Sequence, residues 1–121
     1  MSQDLTDITS RDDLVKFLEI FYSRAQADPV IGEKFAHLDM SSHIQTIADF
    51  WHTVLFGSQT YQGDPFGKHL SLKLQRAHFD RWLDLFTTTI DEMFAGPVAN
   101  EAKHRASTIA NVFQYKLGLY D

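Results

Sequence analysis

Four stretches of this chain place apolar residues at every third or fourth position, and none alternates apolar and polar residues over a useful length. That spacing turns one face of a helix toward a core and offers nothing to a sheet, so an all-α fold is expected. The first stretch opens at Ser10, an N-cap type with Asp13 completing an S-x-x-D pattern. It runs through Leu14, Val15, Phe17, Leu18, Phe21, Tyr22 and Ala25 to Asp28-Pro29, where the residue before proline leaves the helix. Residues 29–36 suit a short turn that brings Ile31 and Phe35 inward. The second helix is expected from about Ser42 to Leu55, stopped by Gly57, with His43, Ile47, Phe50, Trp51 and Val54 facing in. His52 falls on the opposite face and is expected in solvent. A third helix covers about 76–95 with Phe79, Trp82, Leu83, Phe86, Ile90, Met93 and Phe94 on one face, closed by Gly96-Pro97. A fourth covers about 98–117 with Val98, Ala102, Ala106, Ile109, Ala110, Phe113 and Leu117, and Gly118 ends it.

The 121 residues suffice for one core but not for two ordinary domains. Residues 1–9 are polar and expected to fray, leaving 10–121 as the single domain. A net charge of −5 with no basic cluster argues against nucleic acid or an anionic membrane as partner. The absence of cysteine excludes disulfides, thiolate-held zinc, iron–sulfur clusters and thioether-linked haem. The first residues form no signal peptide, and no apolar run approaches the ~20 residues that span a bilayer. A cytoplasmic location is the expectation. Aromatic residues are the compositional excess: ten Phe, four Tyr and two Trp, enough for a tight core or for a flat aromatic ligand.

Between the second and third helices lies a stretch rich in turn formers, which leads into Gly63-Asp64-Pro65-Phe66-Gly67-Lys68-His69-Leu70-Ser71-Leu72. Pro65 suits the first position of a short helix, on which Phe66, His69 and Leu72 share a face. A histidine there either packs in a small core or faces an apolar cavity as a ligand. Four matched helices would suggest an up-down bundle, but the interruption around His69 reads as a chain wrapped about something.

Taken together, Phe21-Tyr22, His43 followed by Phe50-Trp51, Gly63-Asp64-Pro65 through Lys68-His69-Leu70, and His78-Phe79-Asp80-Arg81-Trp82-Leu83 resemble the truncated haemoglobins, group III most closely. The resemblance spans about residues 12–117. It implies a globin-like, two-on-two helical sandwich around a non-covalent haem b, iron protoporphyrin IX. It implies His69 as the proximal iron ligand, with Tyr22, His43, Trp82 and Ile47 on the distal side where O₂, NO or CO binds. Phe21, Phe35, Phe50, Trp51, Phe66, Leu72, Phe79 and Phe86 would wall the porphyrin. Lys68, Lys73, Arg76 and Tyr61 are candidates for its propionates by position alone.

The chemistry of these residue types agrees with that assignment. The Tyr22 hydroxyl and Trp82 indole N–H are donors on apolar bodies that tolerate burial, and they can hold a ligand that gathers negative charge. A set this polar also suits redox chemistry on NO, nitrite or peroxide, served by a reductase. The rival reading is a haem-free helical module that binds a protein or an apolar molecule. A non-haem metal enzyme lacks H-E-x-x-H or paired E-x-x-H motifs, and a hydrolase lacks G-x-S-x-G.

Overall fold

The computed structural model describes residues 5–36, 39–59 and 74–119. Within them run helix α1 (Arg11–Ala27), a 3-10 turn (Gly32–Phe35), α2 (Met40–Phe56), α3 (Arg76–Met93) and α4 (Pro97–Lys116). There is no strand among the described residues. None of these helices is long and apolar enough to cross a membrane.

Local chemistry sets the helix ends. The Ser10 hydroxyl accepts from the Asp13 N–H, and Asp12 and Asp13 lie in the positive first turn of α1. Gly57 closes α2 at φ 68°, a left-handed conformation that only glycine takes without strain. Gln75 and His78 form a reciprocal box at the start of α3, with His78 Nδ1 accepting from the Gln75 N–H at 2.8 Å. His78 is therefore a capping residue.

α1 packs on both α2 and α3, and α3 packs on α4. The sealed centre is aromatic. Phe86, only 1% exposed, meets Phe17, Phe21, Trp51 and Trp82 at ring-centre distances of 4.9, 5.5, 5.1 and 5.3 Å. α4 presents the small residues Ala99, Ala102, Ala106 and Ala110, which let its backbone come close to its neighbours. Val98, Ile109 and Phe113, expected inward, flank that stripe half-buried.

The described part of the N-terminal segment is packed, against the expectation of a frayed end. Ile8 is 1% exposed and belongs to the core. Asp7 caps α4: its Oδ2 accepts from the Val98 N–H and its Oδ1 from the Ala99 N–H, both at 2.8 Å. Gly96 is required beneath it, because its φ is 146° and a Cβ there would stand 2.5 Å from the Asp7 carboxyl carbon. Burial alone would raise the Asp7 pKa, but the hydrogen bonds from Val98, Ala99 and Ile8 outweigh it and hold the carboxylate below its ordinary range.

Candidate functional site

Of the α2 residues expected inward, only Trp51 is sealed. Ile44, Ala48 and Trp51 are buried, whereas His43, Ile47, Phe50 and Val54 are half-buried. The reason is breadth: the helix is apolar around much of its circumference, and only the sector against α1 and Phe86 is closed. His52 also departs from expectation. It is half-buried, with its ring 5.1 Å from Phe56 and its Nδ1 out of solvent.

On the half-buried side the structure brings together the residues expected to be distal. The Tyr22 ring, projecting from α1, stands edge-on to the His43 imidazole at 4.8 Å and to Phe35 of the 3-10 turn at 5.5 Å. His43 Nε2 is buried there. Ile47 follows one turn along α2 and borders the same cluster. Trp82 of α3 joins it through Phe21, whose ring lies 4.9 Å from Tyr22 and 6.1 Å from the indole. Phe50 stacks edge-on against Trp51 at 5.4 Å.

Burial sorts the expected porphyrin wall into two layers. Phe21, Trp51, Phe79 and Phe86 are buried, so their surfaces are covered by protein. Phe35 and Phe50 of that wall, like His43, Ile47 and Trp82 of the expected distal set, are only half-buried. Arg76 is exposed at the start of α3. His69, Phe66, Lys68 and Leu72, with Lys73 and Tyr61, lie outside the described residues.

Tyr22 is the electrostatic centre of this cluster. The residue is 6% exposed, and burial raises the pKa of its hydroxyl above the ordinary tyrosine value. It is therefore a neutral donor at any physiological pH. No hydrogen bond to the described residues fixes that hydroxyl. A largely buried tyrosine beside a half-buried histidine, walled by aromatic rings, fits a flat aromatic prosthetic group carrying a small polar ligand.

Sequence reasoning missed the carboxylate that braces this site. Asp28 Oδ2 accepts from the Val30 and Ile31 N–H groups at 2.9 and 3.1 Å, and Oδ1 accepts from Arg81 Nε at 2.6 Å. Its burial would raise the pKa, yet the bond from Arg81, those from Val30 and Ile31, and the charge of Arg81 prevail and lower it. The available signal was Asp before Pro29, a residue type that bonds its own backbone two residues on.

Comparison with known proteins agrees with this geometry. The model of the bacterial-like globin family matches residues 7–114. Over 118 residues the chain is 30% identical to Group 3 truncated hemoglobin ctb of Campylobacter jejuni, covering 92% of this chain and 93% of that one. The crystal structure of group III truncated hemoglobin from Campylobacter jejuni matches with a TM-score of 0.85 at 29% identity, covering 94% of this chain and 95% of the other.

Proposed function

The chain belongs to the bacterial-like globins and is similar to a group III truncated haemoglobin, and from that premise we propose that it reversibly binds a diatomic gas, O₂, NO or CO, on a non-covalent haem b. His69 would hold the iron, and Tyr22, His43, Trp82 and Ile47 would form the distal side. The haem, when bound, supplies the iron at which the gas coordinates. The protein's part is to present donors to the gas and keep bulk water away. The carrying observation is the Tyr22–His43 contact: the Tyr22 residue is 6% exposed, its ring stands 4.8 Å from the His43 imidazole, and His43 Nε2 is buried there.

A donor on a largely buried residue bonds a polar ligand in a low-dielectric setting, where that bond is stronger than in water. The indole N–H of Trp82 and a ring nitrogen of His43 can act in the same way. Ile47 and Phe50 add apolar surface that lowers the local dielectric. The same donors would suit redox chemistry on NO, nitrite or peroxide, for which a reductase would supply the electrons.

The test begins with absorption spectra of the haem-loaded protein and of His69→Ala. A Soret band that shifts on reduction and on adding CO, and collapses in the variant, supports the reading. No Soret band after reconstitution would overturn it in favour of the haem-free helical module. Tyr22→Phe then tests the distal assignment. Losing a hydrogen bond to a charged partner is worth ~1.5–3 kcal/mol, so O₂ should leave roughly tenfold faster or more. An unchanged off-rate removes Tyr22 from the site.

A further inference from the structure

Among the described residues Asp28 is the one buried side chain that carries a charge, and it lies outside the gas-binding cluster. Its bonds reach three parts of the fold. The Asp28 backbone N–H closes α1 on the Ala25 carbonyl, and its carbonyl accepts from Gly32, the first residue of the 3-10 turn, at 2.9 Å. Its carboxylate holds the loop at Val30 and Ile31 and, on the other oxygen, takes Arg81 of α3. Arg81 is itself braced by Asp84 at 3.0 Å.

The residues that follow these anchor points are the ones that pack the distal donors. Phe35 ends the 3-10 turn and lies 5.5 Å from the Tyr22 ring. Trp82 directly follows Arg81, and its indole is held at 5.3 Å from Phe86 and 6.1 Å from Phe21. A buried carboxylate is costly unless its acceptor sites are filled, so this junction favours the geometry that fills them. We propose that the Asp28–Arg81 pair is a positioning device, which fixes the Trp82 indole and the Tyr22 ring relative to each other by locking the end of α1 and the 3-10 turn onto α3. The inference rests on the gas-binding reading above for its consequence, though not for its geometry.

A second tie between the same helices provides the control. Arg24 of α1 donates to Thr89 at 3.1 Å and also pairs with Glu92 of α3. Thr89 is eight residues beyond Arg81, about two helical turns away from Trp82. Losing this tie should loosen the helix pair without turning the indole.

The chain has two tryptophans, so its ¹H–¹⁵N spectrum holds two indole signals, which Trp51→Phe assigns. In Arg81→Gln the Trp82 indole signal should shift in the haem-free protein. In the haem-loaded protein the stretching frequency of bound CO should move in the direction seen for Trp82→Phe, and O₂ should leave on the order of threefold faster, less than for outright loss of a donor. Arg81→Lys, which keeps a charged donor for Asp28, should restore most of both signals, while Arg24→Gln should lower Tm and move neither.

An unmoved indole signal in folded Arg81→Gln overturns the proposal, as does an equal shift in Arg24→Gln. If Arg81→Gln loses its helical circular dichroism, Asp28→Asn decides on the same measurements, because it keeps an acceptor for the Val30 and Ile31 N–H groups. If Trp82→Phe leaves the CO stretch unmoved, the distal role of Trp82 fails. The haem-free indole signal still decides the clamp.

Discussion

The two sides of α2 look alike in composition and differ in fate. Ile44, Ala48 and Trp51 are sealed against the core, while His43, Ile47, Phe50 and Val54 stay half-buried one step around the helix. On the sealed side every apolar surface meets another, and Phe86 ties rings from α1, α2 and α3 into one lattice. On the open side the Tyr22 ring meets the His43 imidazole, and Ile47, Phe50 and Val54 are only half-buried. Complete burial accounts for stability, and on the proposed reading the incomplete burial beside Tyr22 and His43 is where the ligand sits. The contrast predicts that substitutions on the two sides separate stability from gas binding.

The largest effect should come from Phe86→Ala. Emptying the junction of four rings should cost about 3–5 kcal/mol, read by urea unfolding of the haem-free protein. Phe50→Ala on the open side should cost clearly less, roughly 1–2 kcal/mol, since part of that ring already meets solvent. Equal losses would break the distinction between the two sides.

Next is the N-terminal brace. Asp7→Ala leaves two N–H groups at the start of α4 without their acceptor and should cost about 1 kcal/mol at neutral pH. The sign of its pH dependence follows from the lowered pKa values of Asp7 and Asp28. Each carboxylate binds its proton more readily in the unfolded chain. Each therefore stabilises the fold fully above the ordinary carboxylate range, and that contribution is lost as pH falls through the depressed folded value. The wild-type protein should weaken on acidification, and Asp7→Ala should weaken less, so the two unfolding curves converge at low pH. Parallel curves from neutral to acid would refute the cap's charge.

What could be read from the sequence was local. Ser10, Pro29, Gly57 and Gly96-Pro97 act within a few residues, so the helix ends were legible. The sealed face of α2 was legible only at Trp51, because an apolar sector that broad does not say which part of it meets α1. The packed Asp7 and Ile8 were hidden for a different reason: the partners of Asp7 lie 91 and 92 residues away. Tyr22, His43 and Trp82 were expected together from joint spacing with Phe21 and Phe50-Trp51, a family pattern that no single residue carries; the structure puts the Tyr22 and His43 rings 4.8 Å apart and reaches Trp82 only through Phe21. The Asp28–Arg81 pair, 53 residues apart, left only the turn-forming Asp-Pro as a trace.

The smallest stability effect should belong to the residue with the largest effect on the gas. Tyr22 is 6% exposed, and its hydroxyl has no hydrogen bond to the described residues. Removing it orphans no described partner, and the ring contacts with Phe21, Phe35 and His43 remain available to phenylalanine. Tyr22→Phe should unfold in urea within about 1 kcal/mol of the wild type. A site residue selected for its donor should behave this way, stable without the hydroxyl and unable to retain the gas. If the haem-free variant instead lost ~2 kcal/mol or more, the hydroxyl would be a structural bond of the fold, and the open side of α2 would be core like the other.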